Sequence, residues 1–556
     1  MGVPWRAITA ASLVFAYFAT SRRTVLGFLG SYLTAWLIQF TSWVFSVVVL
    51  YPKFFSPLRN LPQPSNNAWF MGQWHRVMNE GPGVPQLDWI NSVPHNGLIR
   101  WLGLFNQERI LPASPQALKE VFVTKNYDFT KPAEFTSSLG RFLGIGLFLA
   151  EGEVHKHQRH LLLPAFAFRH IKELVPVFWD TSREGVKIMT DYVLQLAAAN
   201  ASSDNAEKLA PNTGVFEISE WTHRMTLDII CLTGLGRDFG ATKDPTNPLA
   251  TAYHSLFRPD PQAQILGLLR LFLPGWFVNN LPVKFNSTVD DSTRKVRDVC
   301  RDLIAEKKQK LANKTLDDVD ILSVALESGG FTDENLVDQM MTFLAAGHET
   351  TASAMTWTVY MLCLHPEIQE RLREEVRSRL PSLNDPAGTV SAMDLDRMPY
   401  LNAVCSESLR YYPPVPISAR VAAVDTTVCD TRIPKGTRVL LVPWAVNRSH
   451  AMWGPDADRF NPGRWLPYFE GDKGAASGHA KSNYAFMTFF HGPRSCIGQG
   501  YAKAEFGALL ACWVGRFRFE LKNEAEMDER NMKIKGLLTA RPANGLWVKV
   551  TVLDGW

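Results

Sequence analysis

The 556-residue sequence has no Cys-x-x-Cys pair among its seven cysteines. Cys231, Cys300, Cys363, Cys405, Cys429, Cys496 and Cys512 are scattered, odd in number and mostly set in apolar stretches. That spacing argues against a disulfide framework and for a reducing compartment, with a small buried hydrophobe as the default reading of each. Long Lys/Arg runs are also missing, and the net charge is only +4. Nucleic acid is therefore not an expected partner, and Lys307, Lys308 and Lys310 read as a solvated helix face. Internal repeats are absent.

Charge is missing altogether from Thr24 to Tyr51. At about 1.5 Å per residue this run exceeds the roughly 30 Å hydrocarbon core and can cross it with tilt. An earlier apolar run, Ala7 to Thr20, is short for a span, and Arg22 and Arg23 separate the two. A cleaved signal peptide is disfavoured by the long second run and the lack of a small-x-small site. Basic residues on both sides of the main run leave one span or two open. Pro52, Pro57, Pro62 and Pro64 cannot continue a helix. The expected organisation is a membrane anchor over 1–51, a proline-rich hinge over 52–64 and one globular body over 65–556.

Helical periodicity dominates that body, so the fold class is mainly α with small β-sheets (α+β). Short strands are expected at Arg438–Pro443 and, after Asn544-Gly545, at Leu546–Leu553. The longest helix is expected from a cap at Thr332, with Asp333 and Glu334 in its first turn, to His365-Pro366.

The strongest chemical signal is Phe489-Phe490-His491-Gly492-Pro493-Arg494-Ser495-Cys496-Ile497-Gly498, an F-x-x-G-x-R-x-C-x-G pattern. A thiolate on haem iron is an electron-rich ligand. Gly492 and Gly498 suit a tight loop that brings backbone N–H groups to the sulfur. Arg494 can reach a haem propionate, and a helix starting after Cys496 would turn its positive end on the thiolate. The chain here resembles the cytochrome P450 family, whose haem-binding signature this is, and the expected architecture is the cytochrome P450 fold behind one or two transmembrane segments.

Further motifs follow in family order. Glu407-x-x-Arg410 and the Arg464 of Phe460-Asn-Pro-Gly-Arg-Trp465 match the family's buried network behind the haem. Ala346-Gly-His-Glu349-Thr350-Thr351 resembles its oxygen-activation motif. The Thr350 hydroxyl can bond the Ala346 carbonyl and open the helix, and Glu349 and Thr350 are the expected proton relay. His348-Glu349 only imitates a zinc-protease motif, because position 352 is Ala. Gly234-Leu-Gly236 is not a dinucleotide loop, since the third glycine comes late. His155, standing where the family has Trp, pairs with Arg159 at i,i+4; the resemblance makes both, with Arg420, propionate contacts.

The resemblance implies haem b with an axial Cys496 thiolate, O2, and electrons from NADPH through a separate NADPH–cytochrome P450 reductase, with cytochrome b5 as an optional donor. It implies an endoplasmic reticulum membrane protein with a cytosolic catalytic domain, so the sequons at Asn200, Asn286, Asn313 and Asn447 should be unused. Its pocket is expected to be lined by Phe343, Ala346, Val415, Ile417, Ser418, Leu537, Leu538 and Thr539. Those residues suit a lipophilic small molecule. The motif style resembles membrane-bound fungal members that act in secondary-metabolite biosynthesis. The alternatives are fatty-acid or alkane hydroxylation, a redox-neutral haem isomerase or dehydratase, and a non-catalytic haem-binding protein.

Overall fold

The computed structural model describes residues 4–19, 24–202, 209–257, 261–270, 273, 275–315, 318–536 and 538–556. Arg22, Arg23 and Leu537 lie outside them. At the N-terminus, helix Trp5–Ala19 packs on helix Val25–Phe45. The Trp5 ring stacks on Trp36 and Phe40 at 5.9 and 5.7 Å, and Gln39 Nε2 donates to Ser12 Oγ at 3.3 Å. The second helix continues in wide π-type turns over Ser46–Phe55. Val25–Phe55 is thus one rod, long and apolar enough to cross a membrane, whereas Trp5–Ala19 is shorter.

That continuation passes the boundary expected at Tyr51 and places Pro52 inside the helix. Proline has no N–H, so in these turns the carbonyl five residues earlier, at Val47, loses its donor. On the neighbouring residue, Asn106 Nδ2 donates to the Val48 carbonyl at 3.0 Å. Arg100 Nη2 donates to the Pro52 carbonyl at 2.7 Å. The segment read as a hinge is therefore hydrogen-bonded to the first strands of the body where it begins.

Those strands belong to a five-stranded sheet ordered Leu98–Leu102, Glu108–Pro112, Arg438–Leu441, Ser418–Ala422, Phe129–Thr130. All neighbours are antiparallel except Glu108–Pro112 with Arg438–Leu441. A three-stranded sheet sets Trp547–Val552 between Thr213–Glu217 and Phe517–Leu521. Both expected strands are present, each slightly shorter than anticipated.

The central helix, Asp333–Leu364, is about 48 Å long. Thr332 Oγ1 accepts from Asn335 N at 3.2 Å, Asp333 and Glu334 oppose the dipole, and Pro366 begins the next helix. Every residue from Thr351 to Cys363 is buried, so this half is core on all faces. It packs against helices Ile218–Ile230, Lys284–Ala312 and Gln499–Arg516.

Lys307 corrects the solvated-face reading. Its ammonium is buried on Asp320 (2.6 Å), Asp318 (2.9 Å) and Ser323 Oγ (2.9 Å), while Lys308 and Lys310 are indeed on the outside. The partners sit beyond the helix end, where periodicity carries no signal. Asn286 and Asn447 are also buried, so those two sequons are closed to glycosylation in the folded chain.

Candidate functional site

Cys496 lies between a short turn, Gly492–Arg494, and the helix Gln499–Arg516. The loop is closed by Cys496 N donating to the Phe489 carbonyl at 2.8 Å, and Phe490 is held at φ +55°. Gly492 has φ +72°, and a Cβ there would lie 2.1 Å from the Phe122 carbonyl oxygen, so only glycine fits. Gly498 is different: its φ is −89°, and a Cβ would meet nothing closer than 3.6 Å. Its N–H instead favours the charged form of the Cys496 sulfur. Phe489 is buried beside Phe486, and His491 packs on Phe122 and Tyr484.

Cys496 presents accessible surface, yet burial is the largest influence on its thiol and raises its pKa. Both hold where the sulfur is surrounded by protein yet still reachable by a ligand. The Gly498 N–H and the Arg159 charge act in the opposite direction and favour the thiolate.

Beside the loop stand the basic residues expected from the sequence. Arg159 donates to the Ser495 carbonyl at 2.8 Å. Arg494 Nη1 donates to the Phe129 carbonyl at 2.8 Å and its guanidinium pairs with Glu151. Arg420, from the sheet strand next to Phe129–Thr130, donates to Ser418 Oγ and the Ala419 carbonyl, and burial among like charges pushes it down to about 10. Burial and the Lys131, Arg494 and Arg159 charges push His155 down to about 4, so its imidazole is neutral at physiological pH. Its Nδ1 lies 3.4 Å from Tyr127 Oη.

Two members of this cluster are absent from the sequence reading. Lys131 is held by Glu151 at 3.2 Å and is pushed down to about 8 by burial and by Arg420. Glu151 also accepts from Lys131 N at 2.9 Å. Neither lies in a recognisable motif; a basic residue at a strand end is too common to stand out.

The central helix supplies the other wall. Ala346 is exposed in the middle of this otherwise buried rod, with Gly347 and Thr350 partly open, so inward-facing space borders that turn. Thr350 Oγ1 donates to the Ala346 carbonyl at 2.6 Å, the bond expected from the motif. The Glu349 side chain is buried and engages Arg541, which the sequence did not suggest, and Thr539 Oγ1 (3.3 Å), expected only as a pocket residue.

Residues 62–547 match the family model described as Cytochrome P450. The chain belongs to the cytochrome P450 family. It is 42% identical over 552 residues to the cytochrome P450 monooxygenase ALT8 of Alternaria alternata, covering 91% of this chain and 92% of that one. It is 43% identical over 512 residues to the cytochrome P450 monooxygenase sphH of Aspergillus fumigatus, covering 91% and 90%. FUM15 of Gibberella moniliformis, another cytochrome P450 monooxygenase, is 41% identical over 542 residues, covering 90% and 89%. The protein is a haem-thiolate monooxygenase, and its own residues fit that group. Among the described residues one carboxylate, Glu151, stands with Lys131, Arg159, Arg420 and Arg494, and buried Arg494 Nε has no acceptor. Such a cluster calls for further anions, which a porphyrin's propionates carry.

Behind the cysteine loop this P450 carries a completely paired ionic network. Glu407 accepts from Arg410 at 2.7 and 2.8 Å, Arg464 Nε at 3.1 Å, Asn461 N at 2.8 Å and Trp465 Nε1 at 2.9 Å. Arg410 also donates to the carbonyls of Asn447, Ala457 and Arg459. Burial opposes the Glu407 charge, but the two arginines outweigh it and hold the carboxyl below its usual range. Asn447 extends the network to Met487 N and Thr488 Oγ1 at 2.7 and 2.8 Å, tying it to the segment preceding Phe489.

Of the expected pocket residues, Val415, Ile417, Ser418 and Leu538 are partly open and Ala346 is exposed. Phe343 is buried, its ring edge-on to Phe166 at 5.6 Å; Phe166 in turn lies next to Gly498. Phe343 therefore packs toward the sulfur helix. Thr539 is buried on Glu349.

Proposed function

We propose that this P450 inserts one oxygen atom of O2 into a lipophilic small molecule of fungal secondary metabolism, with Cys496 as the residue whose thiolate would hold the haem iron. Bound haem supplies the chemistry R–H + O2 + 2 e⁻ + 2 H⁺ → R–OH + H2O. The chain's residues do the rest. Gly498 N–H and Arg159 support a thiolate at Cys496 Sγ. Lys131, His155, Arg159, Arg420 and Arg494 hold the propionates. Glu407, Arg410 and Arg464 keep the loop seated. Phe489, Gly492 and Gly498 shape it around the sulfur.

Thr350 Oγ1 gives its hydrogen to the Ala346 carbonyl and keeps its lone pairs toward the cleft, where it can accept a proton and hand it on. Glu349 stands one residue away as the source that replenishes it. The apolar lining from Phe343, Ala346, Val415, Ile417 and Leu538, with Ser418 at its edge, excludes water and favours an apolar substrate. Similarity to fungal monooxygenases supports the metabolic setting. The Val25–Phe55 rod supports a membrane home, which we assign to the endoplasmic reticulum, with electrons from NADPH through a separate reductase in the same membrane.

The Cys496 loop, closed on the Phe489 carbonyl and flanked by Arg159, carries this reading. The test is the reduced carbon monoxide difference spectrum of detergent-solubilised wild type and Cys496→Ala. A thiolate-type red-shifted Soret band lost in the variant is expected. A histidine-type band in both proteins, with folding intact, would overturn the assignment.

A further inference from the structure

Beside the mid-helix turn, a second constellation gathers around Glu349. Arg541 and Thr539 engage Oε2. Oε1 lies 3.8 Å from His223 Nε2 and 3.8 Å from His348 Nδ1. The three ligand atoms all fall within 4.8 Å of one another. Glu349 and His348 share the central helix, and His223 comes from the neighbouring Ile218–Ile230 helix. Thr226 Oγ1 to the His348 carbonyl (3.3 Å) and Thr222 to Thr356 (3.0 Å) lock the two helices together.

The chemistry of each group favours a cation at the point of convergence. His223 Nδ1 lies 2.6 Å from the Ser219 carbonyl, which can only accept, so a proton sits on Nδ1 and Nε2 is the nitrogen directed to the Glu349 side. Separations of 3.8 Å are too long for hydrogen bonds but close to the ligand–ligand edge of a tetrahedral zinc site, about 3.4 Å for metal bonds near 2.1 Å. Small imidazole rotations close the difference. A backbone carbonyl holding the distal ring nitrogen of His223, and an arginine on the distal carboxylate oxygen, are the outer-shell supports that metal ligands ordinarily have. Two imidazoles and one carboxylate form a donor set for a borderline divalent ion, with one position left for solvent. His223 keeps 12% of its side chain exposed, which gives an entry path, while His348 is fully buried.

We propose that His223, His348 and Glu349 form a binding site for one divalent transition-metal ion of the Zn2+ type. An ion there would tie up Glu349 Oε1, so on the relay reading of Glu349 it would restrain proton supply to Thr350. Metal binding itself stands apart from that reading.

The test uses the untagged, full-length, haem-loaded protein, stripped of metal with chelator and titrated with ZnCl2 by calorimetry. Zinc K-edge absorption, to which haem iron is silent, reads the ligands. Expected are one zinc per chain above any sites shared with the variants, imidazole scattering from two histidines, and at least about tenfold weaker binding in His223→Ala. The carbon monoxide spectrum of that variant should match wild type, showing that it is folded. His348→Ala is a second variant, but His223, at the edge, decides if His348→Ala fails to fold. Unchanged zinc affinity and stoichiometry in folded His223→Ala would overturn the proposal, as would an edge spectrum without imidazole.

Discussion

Asn106 Nδ2 donates to the Val48 carbonyl at 3.0 Å, within the π-type turns that hold Pro52 inside the N-terminal rod. The same amide reaches the Trp69 carbonyl at 2.8 Å, so one side chain joins the rod to the first segment of the body. Asn106→Ala should strand both carbonyls and cost about 1–3 kcal/mol locally. The expected result is faster limited proteolysis between residues 56 and 70, with the carbon monoxide spectrum retained. Unaltered cleavage would show that the rod docks by other contacts.

The Glu407 network predicts a larger loss. Glu407→Gln leaves Arg410 buried without its counter-charge and Arg464 with Asp456 alone, a change worth about 3–5 kcal/mol. That is a large part of a typical domain's stability. The expected outcome is a low haem-to-protein ratio and a lowered Tm. Normal haem content and Tm would show that the arginines' carbonyl bonds suffice.

Glu505, on the helix after Cys496, is fully buried and accepts from Thr351 Oγ1 at 2.9 Å. Burial raises its carboxyl from 4.5 to about 8, against the Thr351 bond. Below the unfolded value both states are protonated and nothing is lost. Between about 4.5 and 8 the unfolded chain ionises while the folded chain stays neutral, so stability falls as pH rises, by at most about 1.4 kcal/mol per unit. Above about 8 the penalty levels off. Glu505→Gln should remove this slope. Its Tm advantage over wild type, measured from pH 5 to 9, should grow with pH; a constant difference would place the ionised form in the folded state.

Lys131 sits buried against Arg420 and Arg494 with only Glu151 as counter-charge. If it holds a propionate, Lys131→Met removes one charge-assisted bond, about 1.5–3 kcal/mol. Haem transfer to an acceptor apoprotein should then accelerate by roughly 10- to 100-fold. An unchanged rate would assign Lys131 to Glu151 alone.

Much of the site was legible in sequence because it is local. The cysteine loop is ten consecutive residues, and the Thr350–Ala346 bond spans one helical turn. The central helix announced itself through Thr332, the acidic first turn and Pro366. What escaped are partners distant along the chain: Phe129 with Arg494, Glu349 with Arg541, Glu407 with Trp465. Lys307 was misread because a helix face shows its own polarity but not the aspartates that fold over it.

The sequence by itself determined the family, the thiol loop, the helical class and a long apolar N-terminal helix, since each rests on short-range spacing and composition. Only the tertiary structure decided that Pro52 stays within a helix, that a backbone oxygen requires glycine at 492 while room is left at 498, that Lys131 and Glu151 join the basic cluster, and that two histidines converge on Glu349. These depend on which buried polar groups find partners across the fold, and burial makes an unmatched charge or carbonyl too costly to leave to chance.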